Sequence, residues 1–216
     1  APAGAAVTTA TVPSGFVEEK VADISAPTSV TPLPDGRLLA TSQNGQIVVI
    51  KNGSKLATPA LDISGKICNG FERGLLGLAP DPNFTTNGYL YGYYTLRRGG
   101  CPIQAPEPQL PINRLVRWTM SGDTVNVATE VVLVDGILNV RGFHNAGDVK
   151  IGQDGLIYVS SGDGGCDART PTDTTKCGTS NLIAQQMNYL QGKVLRVARD
   201  GSIPAGNPHQ GAGTAR

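Results

Sequence analysis

An all-β propeller is the fold class this sequence predicts. Two short patterns alternate three times along the chain, tight-turn dipeptides open the strand runs, and only one stretch has the makings of a helix. The first pattern is a turn running into an apolar strand: Pro34-Asp35-Gly36-Arg37-Leu38-Leu39-Ala40, Asn87-Gly88-Tyr89-Leu90-Tyr91, and Asp154-Gly155-Leu156-Ile157-Tyr158-Val159. Asp-Gly and Asn-Gly tolerate the positive φ that tight turns demand. The second is a strand running into another turn: Gly45 to Gly53, then Asn113 to Trp118, then Gly192 to Val197 ahead of Asp200-Gly201. One copy of the second follows each copy of the first. From Gly36 to Gly88 and on to Gly155 the spacings are 52 and 67 residues, the period of blades with loops of variable length. A β-sandwich is the competing architecture, but it does not readily explain two strand types in strict alternation.

The remaining segments follow in order. The first 14 residues, rich in Ala, Thr and Val, are either a frayed terminus or an outer strand closing the ring. Cys68 and Cys101 flank one long Gly/Pro-rich excursion, and Cys166 and Cys177 flank another. Four cysteines allow three connectivities, and no C-x-x-C spacing points to zinc or thiol redox chemistry. The two sequence-local bridges are preferred over free buried thiols, because each would close a long loop and restrict the unfolded chain. Disulfides imply an oxidising compartment. The one helical candidate is Ser180–Leu190, with a capping residue and apolar side chains at 182, 183, 187 and 190.

Composition bounds the function. Charged residues make up only 16% and net charge is +1, so nothing resembles the basic stripe that nucleic-acid binding requires. No apolar run approaches the roughly 20 residues that span a bilayer. The chain opens Ala1-Pro2-Ala3-Gly4, as a mature secreted protein or a trimmed one would. Three blades cannot close a ring, since propellers carry about four to eight. The flexible stretch Gly211 to Arg216, finishing in arginine, is what a trypsin-like protease leaves in an exposed loop. Residues 1–216 are therefore expected to be the N-terminal half of one propeller domain, with the C-terminal half as a second chain from the same precursor. An independent small domain is the alternative.

His144 is the chemical candidate. Only two histidines occur, and this one lies in the Gly-rich run Gly142-Phe143-His144-Asn145-Ala146-Gly147-Asp148. Imidazole titrates nearest neutrality, which suits a general base, although loop histidines are often merely hydrogen-bonded.

Further residues resemble a known family. Glu72-Arg73-Gly74-Leu75-Leu76-Gly77-Leu78-Ala79-Pro80-Asp81-Pro82-Asn83-Phe84, the histidine loop from His144 to Asp148, Ser161-Gly162-Asp163-Gly164-Gly165, and Gly192 to Val197 with Asn207-Pro208 follow one another in the order seen in the soluble PQQ-dependent sugar dehydrogenases. These form the glucose/sorbosone dehydrogenase family. The resemblance implies a six-bladed propeller of which this chain supplies about three blades. It also implies hydride transfer from a small sugar or polyol to pyrroloquinoline quinone (PQQ), with Ca2+ polarising the cofactor, in a secreted or periplasmic protein. His144 falls at the family's general base, and Glu72, Arg73, Phe143, Asn145 and Asp163 fall beside substrate or cofactor. No metal ligand is expected in this chain. Glu72 has a competing role in a blade-to-blade salt bridge with Arg73 or Arg141, and Asp163 a favoured one in capping backbone amides. Phe143 stands where a characterised branch has an aspartate that helps hold the sugar, which argues against glucose specificity. The alternative function is a non-catalytic secreted propeller that binds carbohydrate or protein.

Overall fold

The computed structural model describes residues 11–103, 105–166, 176–177 and 182–209. They build three antiparallel sheets, one after another along the chain. The first holds β1 (Pro27–Pro32), β2 (Leu38–Ser42), β3 (Gln46–Lys51) and β4 (Ser54–Lys55), with β5 (Leu61–Asp62) also pairing with β3. The second holds β6 (Leu75–Pro80), β7 (Tyr89–Leu96), β8 (Ile112–Ser121) and β9 (Thr124–Leu138). The third holds β10 (Ala146–Ile151), β11 (Ile157–Ser161) and β12 (Lys193–Val197). The two alternating sequence patterns are the second and third strands of each sheet, paired as β2–β3, β7–β8 and β11–β12.

Side-chain alternation along β7 shows how the sheets stack. Leu90 and Tyr94 join a core with Leu39, Ile47 and Leu75, between the first and second sheets. Tyr91 and Tyr93 join a different core with Val149, Ile157 and Leu195, between the second and third. A strand buried on both faces must be apolar on both, which explains a β7 that reads Tyr-Leu-Tyr-Gly-Tyr-Tyr with little polarity. The sheets are thus three successive blades of a propeller, with β6 packed between β1 and β10.

The innermost strands approach closely. Thr28 and Thr31 of β1 donate their hydroxyls to the carbonyls of Leu75 and Leu78 of β6, at 2.7 and 2.9 Å. On the other side of β6, a Cβ placed on Gly77 would lie 2.0 Å from the Gly147 carbonyl oxygen of β10. Only glycine permits that approach. At the far ends of the strands, ion pairs close the gaps between blades: Arg37 to Asp123 at 2.7 Å and Arg199 to Asp81 at 3.2 Å. Burial pushes the Asp81 carboxyl up, but hydrogen bonds from the Tyr91 hydroxyl, the Asn83 amide and the Asn87 side chain, with the charge of Arg199, outweigh it and hold the group below the usual carboxylate range.

Both cysteine pairs are disulfides, Cys68–Cys101 and Cys166–Cys177. The helical expectation over Ser180–Leu190 is corrected. Among the described residues of that stretch there is one 3₁₀ turn, Ile183–Gln185. Such a segment is too short to hold a helix in water by itself. Ile183 is buried against Val140, Cys166 and Cys177, while Leu182 is exposed. The only α-helical turn described is Phe84–Asn87. Of the first 14 residues, 1–10 lie outside the described residues, and 11–14 form no strand.

Gly77→Ala should cost about 1–3 kcal/mol through the clash with Gly147, read as a lower urea midpoint at unchanged slope. Because the Asp81 carboxyl is depressed in the folded state, its stabilisation is full above the unfolded carboxylate range and is lost as pH falls through the folded value. Asp81→Asn should therefore flatten the acid limb of a stability-versus-pH curve.

Candidate functional site

Every blade is joined to its innermost strand in the same way. The residue just before that strand accepts a backbone hydrogen bond from the end of the blade's second strand: Gln43 to Ala26 at 2.8 Å, Thr95 to Gly74 at 2.9 Å, and Gly162 to Asn145 at 3.1 Å. The loops leading into β6 and β10 therefore meet at one end of the blades, beside the inner strands. His144, Glu72, Phe71, Phe143 and Asp163 come together there.

His144 has φ +54°, a left-handed conformation that few non-glycine residues adopt outside functional sites. Its backbone N–H donates to Glu72 Oε2 at 2.6 Å, and its Nδ1 lies 2.8 Å from Asp163 Oδ1. The imidazole side chain is 45% exposed. With Nδ1 engaged by a carboxylate, Nδ1 carries the hydrogen and Nε2 keeps its lone pair for a ligand. Asp163 also accepts the Gly165 amide at 2.9 Å, so the capping role read from sequence and the contact with His144 coexist. Glu72 holds the histidine loop, and no Glu72 salt bridge to Arg73 or Arg141 is formed among the described contacts.

Arg73 and Asn145, expected beside substrate or cofactor, have buried side chains. Arg73 is 1% exposed and Asn145 2%. The Arg73 guanidinium turns inward and donates to Asn139 Oδ1 at 2.5 Å, and to the carbonyls of Cys101, Pro102 and Asn139 at 3.0, 2.9 and 3.2 Å. Burial pushes its pKa down to about 10, so it remains charged at neutral pH. Asn139 Oδ1 also accepts the Gly142 amide at 2.9 Å. Its Nδ2 donates to Asn145 Oδ1, which takes a second hydrogen bond from Asn113 at 3.0 Å. The Asn145 amide in turn donates to the Gly142 carbonyl at 3.2 Å. Sequence reasoning passed over Asn113 and Asn139. Their one signal was polarity within otherwise apolar strand and loop positions.

A cavity of about 450 Å³ opens between blades two and three at the turn end, lined by Asp81, Tyr89, Arg117, Asp154 and Arg199. Asp81 is paired there with Arg199 across the two blades, and Asp154 with Arg196 within the third.

For the cofactors the resemblance implies, the donor chemistry divides. Among the described residues no group of three or more His, Cys, Asp and Glu side chains could hold a metal ion. Toward a quinone, His144 presents a half-exposed ring held through Nδ1 by Asp163.

Comparison with known proteins agrees with the propeller fold. A family model described as Glucose / Sorbosone dehydrogenase matches residues 24–216. Hedgehog-interacting protein of Mus musculus is 30% identical over 210 residues, covering 89% of this chain and 28% of its own length. Quinoprotein glucose dehydrogenase B of Acinetobacter calcoaceticus is 31% identical over 143 residues, covering 63% of this chain and 29% of its own. The PQQ-bound aldose sugar dehydrogenase of Streptomyces coelicolor has a similar structure, with TM-score 0.66 and 27% identity over 89% of this chain and 50% of that one. The chain thus spans less than a third of these curated relatives.

Asn139→Ala leaves the Arg73 Nε and the Gly142 amide without an acceptor. A loss of about 1–3 kcal/mol per orphaned group is expected in urea unfolding.

Proposed function

This chain belongs to the glucose/sorbosone dehydrogenase family, and we propose that it carries the proton-accepting half of a quinoprotein active site that oxidises a sugar or polyol hydroxyl. The observation that carries the reading is His144, fixed through Nδ1 by Asp163 and through its backbone by Glu72, with Nε2 left for a ligand. In the oxidation the substrate O–H proton passes to His144 Nε2 as the carbinol carbon gives up its hydride, and the C–O bond becomes a carbonyl. Bound PQQ would supply the two-electron, hydride-accepting chemistry.

Each residue of this chain has a part. Asp163 orients the ring and stabilises the imidazolium that proton transfer creates. Glu72 fixes the backbone of the loop. Arg73, Asn139 and Asn145 keep it from relaxing out of its left-handed conformation. The reading takes these three blades as part of a larger ring, completed by a further polypeptide that supplies the Ca2+ donors, since half of the Streptomyces coelicolor enzyme lies beyond the matched region. The two disulfides suit a secreted or periplasmic setting.

A second reading is a non-catalytic propeller that binds protein or carbohydrate. It is favoured by the similarity to Hedgehog-interacting protein over most of the chain, and by an apolar Phe143 beside the histidine.

Dye reduction with PQQ, Ca2+ and a panel of sugars separates the two. The dehydrogenase reading expects turnover that falls about 10²–10⁴-fold in kcat for His144→Ala with unchanged unfolding. It expects Asp163→Asn to lower kcat more than it raises KM. Absence of both quinone binding and turnover would overturn it in favour of the binding propeller.

A further inference from the structure

Phe71 and Phe143 are 57% and 41% exposed, on the two loops that hold His144. Their rings meet edge to face, with centroids 4.9 Å apart. Phe71 has φ +60°, an uphill conformation for a bulky side chain. It is held there from several sides. Its carbonyl accepts Gln43 Nε2 at 2.6 Å, and the next amide, Glu72 N–H, donates to Gly142 O at 3.1 Å. A Cβ on Gly142 would lie 2.9 Å from Phe71 Cδ2, so the ring occupies space that only glycine leaves open. Backbone strain of this kind ordinarily repays itself by burying the ring. Here it sets the ring on the surface, against a second exposed phenyl adjacent to the base.

Glu72 and Asp163 each give one carboxylate oxygen, Oε2 and Oδ1, to His144 beside the rings. A molecule with an alkyl face next to its reacting carbon would bury that face against two phenyl rings. We propose that Phe71 and Phe143 form an apolar subsite that selects hydroxylated substrates bearing an alkyl or deoxygenated face beside the oxidised carbon. The proposal rests on the reading of His144 as the base and specifies the substrate class it serves.

The test is a homologous series of aldohexoses carrying 2-O-alkyl groups from methyl to butyl, next to the anomeric hydroxyl, with equilibrium binding measured by calorimetry on the full chain, separately from turnover. Affinity should rise with each methylene, by up to about fourfold. Phe143→Ala and Phe71→Ala should each flatten the series without lowering the urea midpoint, because both rings are outside the core clusters. An affinity independent of chain length, or a slope that survives both substitutions, overturns the subsite and leaves the rings to face a protein. Turnover on the same sugars tests the dehydrogenase reading by itself. Chain-length-dependent binding without turnover sinks that reading and keeps the subsite, whereas turnover indifferent to chain length sinks the subsite alone.

Discussion

One buried guanidinium organises this molecule's functional end. Arg73 is withdrawn from water with no carboxylate beside it, so its charge is balanced by carbonyl dipoles and one asparagine oxygen. An uncompensated buried charge is expensive, and the surrounding backbone is constrained to supply those acceptors in the right places. The carbonyls of Cys101 and Pro102 come from the loop of the second blade, and Asn139 from the lead-in to the third. Satisfying one side chain therefore fixes two blades' loops relative to each other.

The chain of consequence runs from there to the surface. Asn139 passes the constraint to Gly142 and Asn145, and these bracket Phe143 and His144. The imidazole is consequently held at positive φ by hydrogen bonds made behind it, while its ring contacts only Asp163. A fully satisfied polar network of this sort rigidifies a loop more effectively than apolar packing does, because a displaced member leaves unpaired groups in a low-dielectric interior.

Much of this was legible in the sequence, for identifiable reasons. The alternating patterns mapped onto the second and third strands of each blade because those strands are largely apolar and flanked by tight turns, and both features act locally. The cysteine pairs were legible because each flanks one Gly/Pro-rich excursion that a local bridge closes. Glu72, His144 and Asp163 were picked out by residue type and by resemblance. The buried network was not legible, since Arg73 meets Asn139 across 66 residues of sequence and nothing local marks the pairing. The innermost strands β1, β6 and β10 also fell outside the repeat, for they lack an Asp-Gly or Asn-Gly lead-in. The Ser180–Leu190 stretch misled because its apolar residues divide between two cores, Ile183 against the Cys166–Cys177 cluster and Met187 and Leu190 against the core between the second and third blades.

The repeated hydrogen bond that hitches each innermost strand to its neighbour, at Ala26, Gly74 and Asn145, lies below the loops that differ from blade to blade. The frame is thereby insulated from its ornament. Loops above the joint are free to diverge in length and chemistry while the fan beneath keeps its spacing. A single scaffold of this kind serves oxidoreductases and a protein named for its interaction with Hedgehog because nothing in the hinge itself takes sides between turnover and adhesion.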